Sequence, residues 1–147
     1  MNVAGSEINS NLIIIVNDNE QSIAEVHGGM YKNLAELRET GGTASNNLFK
    51  AFGLDYIYEE NGNDIASLIS LFRKVKDTDH PIVVHIHTQK GKGYEIAEKD
   101  KEGWHWCMPF DRETGKPTIS FGDGEDYTSI TAESVSYTHL RAHETVL

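Results

Sequence analysis

Apolar residues in this chain are grouped in two ways, as short continuous runs and as positions that recur every three or four residues. The run Leu12-Ile13-Ile14-Ile15-Val16 is the pattern of a central parallel strand buried on both faces. Residues 54–58 alternate as a strand does, and Ile82-Val83-Val84-His85-Ile86-His87-Thr88, behind Pro81, predicts a third strand. Between these runs, residues 31–39 predict a helix stopped by Gly41-Gly42. A short helix started by Thr43-Ala44-Ser45-Asn46-Asn47 runs through Phe49 and Phe52 and ends at Gly53 in the left-handed conformation. Asp64 caps an amphipathic helix whose Ile65, Leu68, Ile69, Leu71 and Phe72 are expected to face the sheet, with Lys74 and Lys76 at its carboxyl end. Ser22 and Glu25 have capping-box spacing. The order β, α, α, β, α, β with short connections predicts an α/β fold with a parallel, doubly wound sheet.

Outside this pattern the chain is less regular. The first ten residues are polar and patternless, Gly91-Lys92-Gly93-Tyr94 forms a tight loop, and residues 104–110 are aromatic-rich and irregular. From Gly122 onward no periodicity is present. Three strands make a poor sheet for so much aliphatic side chain, so both ends are expected to be cut.

Composition narrows the class. A chain of 147 residues accommodates one domain with a real core, and 38% hydrophobic with 24% charged residues describes a soluble globular protein. A net charge of −10 argues against a nucleic-acid partner, because phosphate backbones require a basic face. The longest apolar run is far below a bilayer span, so no membrane partner is expected. A single cysteine, Cys107, and the lack of a cationic and apolar leader pattern make the cytoplasm the expected compartment.

Candidate chemistry lies at the carboxyl ends of the first and third strands, where open α/β sheets bind ligands. Asn17-Asp18-Asn19-Glu20-Gln21 offers hard oxygen ligands that suit a Mg²⁺ ion bridging to a diphosphate, with Asn19 giving its amide oxygen and Gln21 a backbone carbonyl. The same residues also close strands as ordinary turns. Gln89-Lys90-Gly91-Lys92-Gly93 follows the third strand on the same rim, and a lysine flanked by glycines lets ammonium and backbone N–H groups approach a phosphate together. A solvated basic turn is the plainer alternative. His85 and His87 share one face of their strand and either hold a metal or serve as hydrogen-bonded sheet residues. His105, between Trp104 and Trp106, is the candidate catalytic residue for substrate contact.

Residues 11–111 closely resemble the thiamine-diphosphate-binding domain of the 1-deoxy-D-xylulose-5-phosphate synthase family, in the transketolase superfamily. The resemblance rests on Asn17-Asp18-Asn19-Glu20-Gln21-Ser22-Ile23-Ala24-Glu25, on Thr88-Gln89-Lys90-Gly91-Lys92-Gly93-Tyr94 with Ala97-Glu98, and on Trp104-His105 ahead of Pro109-Phe110-Asp111. It implies thiamine diphosphate and Mg²⁺ as cofactors, Asn19 and Gln21 as metal ligands, and Lys90 as the lysine that meets the diphosphate. Ile23 would lie near the thiazolium and aminopyrimidine rings, and His105 would face the substrate. The implied reaction joins pyruvate to glyceraldehyde 3-phosphate for isoprenoid and thiamine precursors, and the full-length enzyme is expected to be a homodimer.

The family's Gly-Asp-Gly element, which supplies a carboxylate to Mg²⁺, would precede Met1, and the domain that activates the aminopyrimidine would follow. The segment between Gly28 and Gly53 is also shorter than in the common form. The expectation is therefore an internal fragment, inactive by itself. A transketolase-type enzyme with another acceptor, and a non-catalytic cofactor-binding subunit of a split enzyme, are the alternatives. Residues 1–121 are expected to form the partial cofactor domain and residues 122–134 an irregular tail. Residues 135–147 resemble the conceptual translation of a sequencing adapter, which removes His139 and His143 from functional consideration.

Overall fold

The computed structural model describes residues 1–21, 27–119 and 126–144, with side chains as far as residue 136. Two compact units are present, Met1–Trp106 and Cys107–Leu147. The first unit runs α1 (Asn2–Ser6), β1 (Ile13–Asp18), α2 (Gly29–Glu39), α3 (Leu48–Ala51), β2 (Asp55–Glu59), α4 (Ile65–Val75), β3 (Ile82–His87), α5 (Glu95–Lys99) and a 3₁₀ turn (Gly103–His105). Its three strands form one all-parallel sheet in the order β1-β3-β2. The register sets Ile13 opposite Ile82 and Asp18 opposite His87 on one side of β3, and Asp55 opposite Ile82 and Tyr58 opposite His85 on the other.

Alternation along the strands divides the core between two faces. On one face Val83, Ile14, Val16 and Tyr56 meet Leu34 and Leu37 of α2 and Phe49 of α3. On the other, Ile82, Val84, Ile86, Ile13 and Ile57 meet Leu68, Leu71, Phe72 and Val75 of α4. Helices therefore cover both faces, as the order of elements predicts. The expected cap at Asp64 and the left-handed Gly53 form, and Asn47 supplies the cap of α3. Asn47 Oδ1 accepts from the Phe49 and Lys50 amides, Asp64 Oδ2 accepts from the Ser67 amide at 2.7 Å, and Gly53 has φ +80°.

Several expectations are corrected. The patternless first residues form α1, which buries Ala4 against the core. Its docking needs two facing glycines, since a Cβ on Gly5 would lie 1.8 Å from the Phe52 carbonyl oxygen and one on Gly53 would lie 2.7 Å from that of Gly5. Such a backbone approach leaves no hydrophobic period to read. Among the described strands β3 is central and β1 lies at the edge, with Ile15 53% exposed. An aliphatic run reports strand propensity and apolar side chains, and both are the same at an edge as at a centre. On α4, Ile65 and Ile69 face outward while Leu71 and Val75 are buried, because the helix contacts the sheet along a narrower stripe than its apolar residues occupy. The segment after Lys90 includes α5 and the 3₁₀ turn. The capping-box residues Ser22 and Glu25 lie outside the described residues.

In the second unit, Phe110 and Pro117 form an antiparallel bridge around a turn in which Asp111 Oδ1 accepts from the Thr114 amide at 2.8 Å. Residues expected to form an irregular tail instead belong largely to α6 (Tyr127–Glu144), a helix without a marked apolar stripe. No helix among the described residues is long and apolar enough to cross a membrane.

The stripe on α4 gives a direct test. Leu71→Ala should lower the unfolding free energy by about 2–5 kcal/mol, whereas Ile65→Ser should change it by no more than about 0.5 kcal/mol. Urea unfolding followed by far-UV circular dichroism checks both, and equal losses would contradict the assigned stripe.

Candidate cofactor site

Because β1 and β3 are adjacent and parallel, the loops that leave their carboxyl ends emerge on one rim of the sheet. The first carries Asn19 and Gln21, the second Lys90. Thr88 joins the two rim segments by donating from its amide to the Asp18 carbonyl (2.9 Å) and from Oγ1 to Asn17 Oδ1 (2.7 Å). A third segment arrives from β2, where Asn63 Oδ1 accepts from the Gln89 amide at 2.7 Å. Gly62 donates to the His87 carbonyl oxygen at 2.9 Å, and a Cβ on it would lie 2.4 Å from that oxygen, so only glycine allows the crossing.

Asp18 anchors the first loop. It is buried at the end of β1, and both of its oxygens accept hydrogen bonds. Oδ1 accepts from the Glu20 amide at 3.0 Å. Oδ2 accepts from Arg38 Nη1 of α2 and from His85 Nε2 of β3, the latter at 2.9 Å. The Tyr56 hydroxyl lies 2.7 Å from His85 Nδ1, and the Tyr58 ring meets the same imidazole edge-on at 5.1 Å between centroids. Burial alone would push the Asp18 carboxyl up, but hydrogen bonds from His85, the Glu20 amide and Arg38, together with the Arg38 charge, hold it well below the usual carboxylate range. Burial, reinforced by the Asp18 charge, raises the Tyr56 hydroxyl well above its ordinary value.

Beyond Asp18 the chain turns sharply. Asn19 Oδ1 accepts from the Gln21 amide at 3.1 Å, and Glu20 between them has φ +66°. Glu20 Oε1 accepts from His87 Nε2 at 2.7 Å. The carboxylates of Asp18 and Glu20 are thus both engaged. The Asn19 side-chain oxygen is engaged as well, by the Gln21 amide within the turn. The Gln21 side-chain oxygen is buried without a hydrogen-bond partner. Ile23, expected near the cofactor rings, lies outside the described residues. A cleft beside the loop is lined by Asp18, Glu20, Gln21, Lys32 and Arg38.

At the second loop, Lys90 Nζ lies 3.3 Å from His105 Nδ1. The tertiary fold thereby unites two residues separated by fifteen positions. Tyr94 makes the junction, its ring meeting Trp104 edge-on at 5.1 Å. The glycine-rich turn is tied from α5, where Glu98 Oε1 accepts from the Gly93 amide at 2.8 Å. Asp100 shapes the 3₁₀ turn by accepting from the Gly103 amide at 2.9 Å.

His85 and His87 resolve in favour of hydrogen-bonded sheet residues. His85 is fully buried, and no group of three or more His, Cys, Asp or Glu side chains able to hold a metal is present among the described residues. Sequence reasoning did not single out Asp18, Arg38 or Tyr56 as partners. A signal existed in the acidic residue that ends an aliphatic strand, because burial there demands a cationic or hydrogen-bonding neighbour.

An α/β protein with a small, open, all-parallel sheet whose strand-end loops share one rim is the class that this geometry defines. The family described as 1-deoxy-D-xylulose-5-phosphate synthase matches the chain over residues 1–46 and 40–88, and the chain belongs to that family. It is 32% identical to the 1-deoxy-D-xylulose-5-phosphate synthase of Syntrophotalea carbinolica over 88% of this chain and 26% of the relative. With that of Campylobacter hominis it shares 36% identity over 71% of this chain and 23% of the relative. With that of Sulfurimonas denitrificans the identity is 42% over 60% of this chain and 14% of the relative. The chain spans about a quarter of the length of the curated relatives it matches most extensively.

The Asp18 anchor makes stability sensitive to acid. With its folded pKa depressed, Asp18 contributes stability that is fully present above the unfolded aspartate value near about 4 and is lost as pH falls below it. Asp18→Asn should cost about 3–5 kcal/mol near neutral pH by leaving Arg38 without its buried partner, and should flatten the loss of stability below about pH 4. Denaturation midpoints from pH 2 to 7 for both proteins check this. An unchanged acid slope would oppose it.

Proposed function

We propose that this chain supplies half of a thiamine-diphosphate site in a 1-deoxy-D-xylulose-5-phosphate synthase, a transferase that condenses pyruvate with glyceraldehyde 3-phosphate. One observation carries the reading: the Asn19 loop and the Lys90 loop leave adjacent parallel strands on the same rim, where a metal-bound diphosphate would meet both. The donor set fits Mg²⁺ in part. Asn19 and Gln21 offer hard oxygens, while Asp18 and Glu20 are committed to Arg38, His85 and His87, so the carboxylate expected at Mg²⁺ comes from outside the described residues.

In this reading Asn19 and Gln21 hold the metal, and Lys90 neutralises diphosphate charge as a compact cation. Ile23 is assigned to the wall of the ring pocket. When bound, thiamine diphosphate supplies the carbanion chemistry that the protein side chains lack. His105 is assigned to the substrate, where contact with Lys90 orients its ring. Magnesium dependence, a homodimeric full-length enzyme and a cytoplasmic location belong to the same proposal, as does inactivity of the chain by itself. No residue assigned here distinguishes this reading from a transketolase-type enzyme with a different acceptor, and acceptor selectivity of a complete enzyme separates the two.

The test is a full-length family enzyme in which this chain replaces the matching segment. Asn19→Ala should weaken Mg²⁺ and cofactor binding together, and Lys90→Ala should weaken mainly the cofactor, each by about 1–3 kcal/mol in calorimetric titrations. His105→Ala should spare cofactor affinity and lower kcat/KM for the substrates. Unchanged cofactor affinity in both Asn19→Ala and Lys90→Ala would remove the reading, and unchanged kinetics in His105→Ala would remove its assignment.

A further inference from the structure

Among the described residues Glu20 is the one non-glycine residue with positive φ, and it sits between the two proposed ligands. An L-residue in this region is strained, and such a conformation persists only where its surroundings over-determine it. Two ties hold Glu20. Its amide donates to Asp18 Oδ1 at 3.0 Å, a local contact within the loop, while its carboxylate is taken across to β3 by His87 at 2.7 Å.

His87 is itself held from behind. It lies opposite Asp18 in the strand register, and Gly62 donates to its carbonyl oxygen. Its Nδ1 lies 3.5 Å from Glu60 Oε1, and the other oxygen of Glu60 accepts from the Tyr58 hydroxyl at 2.5 Å. The imidazole thus stands between the loop and Glu60, the residue that follows β2. His85 performs the corresponding task two residues earlier on the same face of β3, through Asp18.

We propose that His87 is a positioning residue for the cofactor loop. By donating from Nε2 to Glu20 Oε1 it keeps Glu20 left-handed and so fixes the relative placement of the Asn19 side chain and the Gln21 carbonyl. This role rests on the assignment of those two residues as metal ligands. The reason for a clamp is preorganisation, since a loop already in its binding geometry loses less conformational freedom on binding.

The test needs only the 147-residue chain, with backbone amide exchange measured by nuclear magnetic resonance and Glu20 φ read from scalar couplings. His87→Ala should speed exchange of the Glu20 and Gln21 amides by about tenfold, the equivalent of one ordinary hydrogen bond, while the Val84 and Ile86 amides of β3 stay within about twofold. Adding Glu20→Gly should restore most of the lost protection, because glycine adopts positive φ without strain. Three results would each overturn the proposal: unchanged exchange at Glu20 and Gln21, an equal rise throughout β3, or loosening that Glu20→Gly does not reverse. The clamp is read without ligand, so its failure leaves the cofactor reading standing, and that reading is decided separately by cofactor affinity of Asn19→Ala and Lys90→Ala in the full-length enzyme.

Discussion

A carboxylate removed from water must find compensation for every oxygen lone pair it can offer, and at Asp18 that demand organises the end of the sheet. Arg38 brings α2 down onto β1, His85 ties β1 to β3, and the hydroxyl of Tyr56 brings β2 into the same chain of contacts. The remaining oxygen captures the Glu20 amide and starts the turn. One buried charge thus links three strands, a helix and the loop proposed to hold the metal. Hydrophobic burial against α2 and α4 supplies the bulk stabilisation on the two faces, but it is non-directional. The direction in which the chain leaves β1 is set by these polar contacts.

Parallel pairing is the second constraint. Two strands that run the same way deliver their following loops to one rim, so residues 71 positions apart, such as Asn17 and Thr88, become neighbours without any local sequence relation. On this rim the chain places amide and carbonyl oxygens from one loop and an ammonium from the other. The Asp18 and Glu20 carboxylates are tied to Arg38, His85 and His87 at this end of the sheet. The Lys90 and His105 pair extends the rim toward the proposed substrate side, held by the Tyr94 and Trp104 contact.

Membership of the synthase family and this geometry support one another at different levels. The family match covers both proposed ligand residues of the first loop, whereas the second match ends at residue 88, just before Lys90. The association of Lys90 with His105 is therefore a structural observation, independent of the family match. The clamp at His87 is likewise a property of this fold's contacts and involves residues that present no motif by themselves.

Local chemistry made much of the fold legible beforehand. Alternation and aliphatic runs located β1, β2 and β3 to within a residue or two, and the cap at Asp64 and the left-handed Gly53 were readable because each is decided by a few consecutive residues. Parallel order also followed from connection lengths, and with it the shared rim of Asn19 and Lys90. What stayed hidden depends on distant atoms: α1, whose docking needs Gly5 against Gly53; the outward Ile65 and Ile69; the edge position of β1; and the partners of Asp18, His85 and His87. The sequence by itself determined which residues form strands and which polar loops follow them, since propensity, capping and periodicity act over a few positions. Only the tertiary structure decided which carboxylates remain available as ligands, because hydrogen-bond partners are chosen by proximity in space, which no local pattern encodes.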